Sequence, residues 1–118
     1  MKLEKVKKIL IELMNENEDF ENELDISYFD NEFSAEIGET NMENSKWKYE
    51  TRLEYEGGYK GGGEEMWIVS KLINKEKNKS IFIEFSGYYN SWDASHFDKM
   101  YLVEPKEVTV IKYKKIKE

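Results

Sequence analysis

Trp47, Tyr49, Thr51, Leu53 and Tyr55 alternate without a fault with Lys48, Glu50, Arg52, Glu54 and Glu56. Strict period two puts the first set on one side of an extended chain and the second on the other. The pattern fits a β-strand with one buried and one wet face, and it does not fit a helix. A half-buried strand needs neighbours and a cover, so this stretch sets the terms for the rest of the chain.

The neighbours follow in sequence. Residues 66–73 read as a second strand, apolar in part on both faces. Residues 81–89 read as a third, with Ile81, Ile83 and Phe85 on one side. Residues 100–103 and 107–113 form the last extended segments, split by Pro105, the only proline. Proline donates no ladder hydrogen bond and belongs at a bend or an edge. The Lys-rich stretch 112–117 suits an edge strand protected by charge. Glycines at 57, 58, 61, 62 and 63 make a hairpin connection, residues 74–79 a polar turn, and residues 90–98 a loop.

The cover comes from the N-terminus. Leu3, Val6, Leu10 and Leu13 recur at helical spacing, widened by Ile9 and Met14, over residues 2–15. This stripe is expected to pack on the sheet, with a short dimer seam as the alternative. The expected fold is α+β: an N-terminal amphipathic helix packed on a four- to five-stranded antiparallel sheet. The expected organisation is a single domain of 118 residues, with a helix at 1–15, an acidic excursion at 16–46 and the sheet at 47–118.

The excursion holds the main clue to function. Residues 15–44 carry eleven acids and no Lys or Arg, while the chain as a whole has a formal charge of −7. The negative charge is therefore a block, with a slight positive excess on either side. Such a block repels nucleic acid and anionic membranes, and it steers basic protein surfaces toward itself. The plainer alternative is a solvated acidic surface that keeps the chain in solution. Phe20, Leu24, Ile26, Tyr28, Phe29, Phe33 and Ile37 recur within the block and anchor it to the core. Ile26 and Tyr28 suggest a short strand, with helix and irregular loop left open.

Composition narrows the chemistry. Eight Tyr, six Phe and three Trp argue against disorder. There is no cysteine, which excludes a disulfide scaffold, a thiol nucleophile and a cysteine zinc site, and fits a reducing compartment. Lys7, Lys8 and Glu12 interrupt any signal-peptide core, and no apolar run approaches the ~20 residues that span a bilayer. A cytoplasmic protein with no membrane contact and no cofactor is expected.

No motif commits the chain to catalysis. The glycine loop resembles a phosphate loop only superficially, because Lys60 is followed by glycines and acids and then by a strand. His96, the only histidine, stands with Asp93 and Asp98 in a short cluster that is weak as a metal site. A Ser–His pair would need His96 with Ser86, Ser91 or Ser95, none of them in a strand–turn–helix elbow. No spacing singles out a carboxylate pair. The run Ser86-Gly-Tyr-Tyr-Asn-Ser-Trp92 is more distinctive. It is read as core packing at a sheet corner, as an aromatic contact patch, or as a base-stacking platform. The last suffers from the absence of a basic groove in the same stretch.

The stretch 54–113 resembles a group of small phage-encoded proteins of uncharacterised function. The resemblance lies in the glycine-rich turn, the strand end Gly87-Tyr88-Tyr89, Ser91, and the run Val103-Glu-Pro105-Lys-Glu-Val108-Thr-Val110 ending near Tyr113. It implies a phage or prophage setting and no reaction type. The expected function is that of a non-enzymatic inhibitor of a bacterial defence or nucleic-acid enzyme, of the anti-CRISPR kind. Its acidic surface would occupy a basic site on a host protein. The expected contact residues are Glu16, Glu18, Asp19, Glu21, Glu23, Asp25, Asp30 and Glu32, with Tyr59, Tyr88, Tyr89 and Trp92 as aromatic anchors. The alternatives are a phage structural or accessory protein that self-associates, as a homodimer for instance, and a small hydrolase built on His96, Asp93 and Asp98.

Overall fold

A computed structural model describes every residue except 21–22, 57–63, 90–94, 108, 110 and 118, and only the backbone of Glu56, Glu64 and Tyr89. Helix α1 (Leu3–Glu16) is followed by a 3₁₀ helix (Ile26–Phe29), β1 (Phe33–Ser34), a second 3₁₀ helix (Ala35–Gly38) and β2 (Met42–Glu43). Four long strands complete the order: β3 (Trp47–Glu56), β4 (Glu64–Asn74), β5 (Lys79–Tyr89) and β6 (His96–Val103). Val6, Ile9, Leu10, Leu13 and Met14 of α1 are buried. Lys2 provides no side-chain cap, so the helix depends on packing more than on its ends. Because the stripe lies in the core, the alternative of a dimer seam is corrected.

The sheet is antiparallel and six-stranded, in the order β1-β6-β5-β4-β3-β2. The expectation of four or five strands missed β1 and β2, two residues each, which the acidic segment lays along opposite edges. Laid flat, six strands would place those edges about 24 Å apart. The connection from Ser34 to Met42 includes a four-residue 3₁₀ helix and reaches only about 22 Å. It must also clear the side chains beneath it, so the sheet has to curl. Gly38 sits where the connection crosses: an added Cβ would lie 2.9 Å from both Ile68 Cδ1 and Phe97 Cε2.

The concave face forms the core. Phe33, Met42, Trp47, Tyr49, Ile68, Leu72, Ile83, Phe85 and Phe97 are all buried there or at its rim. Crossing the core strands the carbonyls of Ile37 and Gly38, and hydroxyls satisfy both. Tyr49 Oη donates to Ile37 O at 2.6 Å, and Thr51 Oγ1 donates to Gly38 O. Ser70 Oγ lies between the two, 3.0 Å from Tyr49 Oη and 2.8 Å from Thr51 Oγ1. Burial pushes the Tyr49 phenol well above its ordinary pKa.

Three sequence expectations change here. The flawless alternation of residues 47–56 does not give a flawless ladder: Glu50 pairs with Lys71 but Glu54 with Val69, so β3 bulges by two residues around Arg52 (φ 59°). Leu53 and Tyr55 end up exposed. Ile26 and Tyr28 lie in a 3₁₀ helix, not a strand, because Asp25 accepts from the Ser27 amide at 2.9 Å and starts a turn. The segment 107–113 was expected to be extended and 112–117 to suit an edge strand, yet no strand is assigned to the described residues of either. The chain leaves β6 through Glu104 and Pro105 toward the convex face instead of doubling back along the edge.

Candidate interaction surface

The acidic segment is held at several points. Phe29 and Phe33 meet edge to face at 5.2 Å, and Phe33 meets Phe85 at 5.8 Å, so the segment is stitched to β5 through aromatic rings. Asn15, near the end of α1, clasps the loop that follows. Its Nδ2 donates to Leu24 O at 2.9 Å, and its Oδ1 accepts from Leu24 N at 2.7 Å. Asn44 Nδ2 reaches Glu16 Oε2 at 3.0 Å and links the end of the helix to the start of β3.

The acids divide into two groups. Asp25 caps the first 3₁₀ helix, and its hydrogen bonds from Ser27 hold the carboxyl below its ordinary pKa. Glu32 accepts from Tyr88 Oη at 2.9 Å. Glu43 pairs with Lys75 at 2.5 Å, and that ammonium lowers its pKa. Glu32 and Glu43 tie the segment to the rest of the fold, while Asp25 fixes a turn within it. Asp25, Glu32 and Glu43 are exposed, and so are Glu18, Asp19, Glu23, Asp30, Glu36 and Glu39, which among the described residues make no ion pair. Glu36 has a second role: after burial itself, its charge is the next cause that raises Tyr28, to about 12.

Among the expected anchors, Tyr88 is half-buried on β5, with its ring 6.1 Å from His96 and its hydroxyl on Glu32. The structure therefore brings Tyr88 together with the acidic segment. Glu21, Tyr59 and Trp92, the glycine loop 57–63 and the side chain of Tyr89 lie outside the described residues. His96 and Asp98, expected in a loop, belong to β6. Asp93 lies outside the described residues, and those described contain no group of three metal-ligating side chains. Among the same residues, no helix is long and apolar enough to cross a membrane.

Sequence reasoning missed a second surface. On the convex face, Leu53, Val69, Phe82 and Val103 line an open cleft with Glu54 and Glu84. Register is the signal that carries it: Val69 pairs with Glu84 and Phe82 with Val103, on the side away from α1. The apolar content of β4 on both faces was visible in the sequence, but which residues meet across the strands was not.

Residues 21–86, more than half of the chain, match the model of the family described as the protein kinase C terminal domain, and the chain belongs to that family. The match runs from the acidic segment through β1 to most of β5 and leaves α1 and β6 outside. No curated protein and no solved structure matches the chain.

Proposed function

We propose that this protein acts by contact and not by catalysis, with the acidic segment as a preformed surface for a basic partner protein. The observation that carries this reading is the division of the acids. Glu32 and Glu43, with the aromatic anchors, fix the segment to β5 and to the β4–β5 turn, while among the described residues Glu18, Asp19, Glu23, Asp30 and Glu39 are exposed and make no ion pair. A surface ordered before binding loses less entropy when it binds. The phage resemblance directs the proposal toward a bacterial nuclease or defence complex with a Lys/Arg-lined channel, where carboxylates stand in for phosphate. Acidic charge then supplies association rate, and aromatic contact supplies most of the affinity. The family description names a terminal domain of a kinase and assigns no activity to this chain.

The test is capture of a partner from bacterial lysate with wild-type protein, followed by binding kinetics on the identified partner. In the triple variant Glu18→Lys, Asp19→Lys, Glu23→Lys, association at low salt should slow by about tenfold or more and approach wild type at high salt. An unchanged rate at low salt would show that the acidic segment is not the contact. A second reading, self-association, is favoured by the apolar cleft on the convex face.

A further inference from the structure

The convex cleft and the residues after β6 are chemical complements. The cleft has an apolar floor of Leu53, Val69, Phe82 and Val103. Among the described residues that line it, Glu54, Glu84 and Glu104 face one cation, Lys106, while the Lys71 ammonium lies 6.0 Å from the Phe82 ring. Its volume is about 340 Å³, near the lower end of the ~300–1,000 Å³ typical of binding clefts. Residues 111–117 read Ile-Lys-Tyr-Lys-Lys-Ile-Lys, four lysines and no acid among three large apolar side chains. Those side chains have no place in their own fold: Ile111 is 75% exposed, Tyr113 94% and Ile116 90%. An acidic apolar cleft without a cover and a basic apolar segment without a seat thus occur in one molecule.

We infer that the segment 111–117 of one copy of this chain docks in the convex cleft of a second copy, with Tyr113 in the apolar floor and its flanking lysines on Glu54, Glu84 and Glu104. A second copy is favoured over the same copy by where the segment goes. The chain passes the rim of its own cleft at residues 104–106, yet Ile111, Tyr113 and Ile116 beyond it are exposed and none of them lines that cleft. The radius of gyration is 17.2 Å, against about 13–14 Å for a compact chain of this length. The ten residues from Val103 to Tyr113 span up to about 33–36 Å when extended, enough to reach a neighbour. Exchange about a two-fold axis fills both clefts with both segments and leaves none open. None of the acids in residues 16–43 lines this cleft, so the inference stands apart from the proposed partner surface.

Sedimentation equilibrium on the full chain tests it. The wild type should show a monomer–dimer equilibrium that weakens with salt. Tyr113→Ser should raise the dimer Kd by about tenfold or more without moving the melting temperature, since the ring is almost fully exposed in the monomer. Two charge-reversed variants decide the geometry. One carries Lys112→Glu, Lys114→Glu and Lys115→Glu; the other carries Glu54→Lys and Glu84→Lys. Each alone should be monomeric, and an equimolar mixture should form a one-to-one dimer in which both clefts regain complementary charge. A wild type that stays monomeric at every concentration, a dimer indifferent to Tyr113→Ser, or a mixture that fails to associate would each overturn the inference.

Discussion

The two faces of the sheet come from the same strands, residue by residue, yet among the described residues only one has a cover. On β5, Ile83 and Phe85 are fully buried on the concave face, while Phe82 and Glu84 beside them are only partly buried on the convex face. The concave face is closed by α1 and by the acidic segment. On the convex face, residues 104–106 border the apolar cleft at one side. Alternation therefore accounts for the concave face and leaves the apolar part of the convex face without a role in the fold. Apolar side chains that folding does not require are the ones to examine for contact.

The largest test of this contrast uses two phenylalanines three residues apart. Phe85→Ala removes a ring that is fully buried against Phe33 and Phe97, and should cost about 3–5 kcal/mol in urea unfolding. Phe82→Ala removes a half-exposed ring on the other face and should cost about 1 kcal/mol. Equal losses in dilute protein would mean that the convex face is covered in solution by its own chain, and the contrast would fail.

Much of this architecture was legible because long elements repeat their signal. The α1 stripe offers six apolar positions at helical spacing, and β3, β4 and β5 each run ten or eleven residues. The two-residue strands were not legible, because alternation has no meaning over two positions. The bulge at residues 51–53 was hidden for a related reason. Two extra residues preserve parity, so the sequence pattern runs straight through a place where the ladder breaks. The segment 107–113 has the β-branched content of a strand, but composition does not show whether a neighbour accepts it. The acidic block was visible as composition. Its division into carboxylates with and without a partner among the described residues depends on Ser27, Asn44, Lys75 and Tyr88, which lie 2 to 56 residues from the carboxylates they bind.

A second pair of substitutions sharpens the contrast with smaller energies. Tyr49→Phe deletes the buried hydroxyl that serves the Ile37 carbonyl and should cost about 1–3 kcal/mol. Tyr101→Phe on the convex face, where the ring is 46% exposed, should change little. The same groups set an alkaline limit. Above pH ~10 the unfolded chain ionises its tyrosines, whereas burial holds the proton on Tyr49, and on Tyr28 up to about 12. Their contribution is thus complete below pH ~10 and is lost as pH rises toward 12. Tyr49→Phe should flatten that decline when melting temperature is followed against pH.

The smallest effect belongs to the clasp on β2. Lys75 follows β4 and reaches Glu43 at 2.5 Å and the Asn44 carbonyl at 2.7 Å, tying a two-residue edge strand to the β4–β5 turn. In this respect it does for the rim what the hydroxyls of Tyr49, Thr51 and Ser70 do for the core, but in water. Solvent and salt screen an exposed pair, so Lys75→Met should lower stability near neutral pH by clearly less than Tyr49→Phe does. The sign with pH follows from Glu43. Its carboxyl is held below its ordinary value, first by the hydrogen bond from Lys75 and then by that cation's charge, with Lys48 adding to it. A lowered carboxylate pKa gives stability that is present above the ordinary carboxylate range and is lost as pH falls through the folded value. Wild type and Lys75→Met should therefore differ slightly at neutral pH and converge in acid. If they stay apart in acid, the lysine acts through its bond to the Asn44 carbonyl, and the rim is held by backbone contacts rather than by charge.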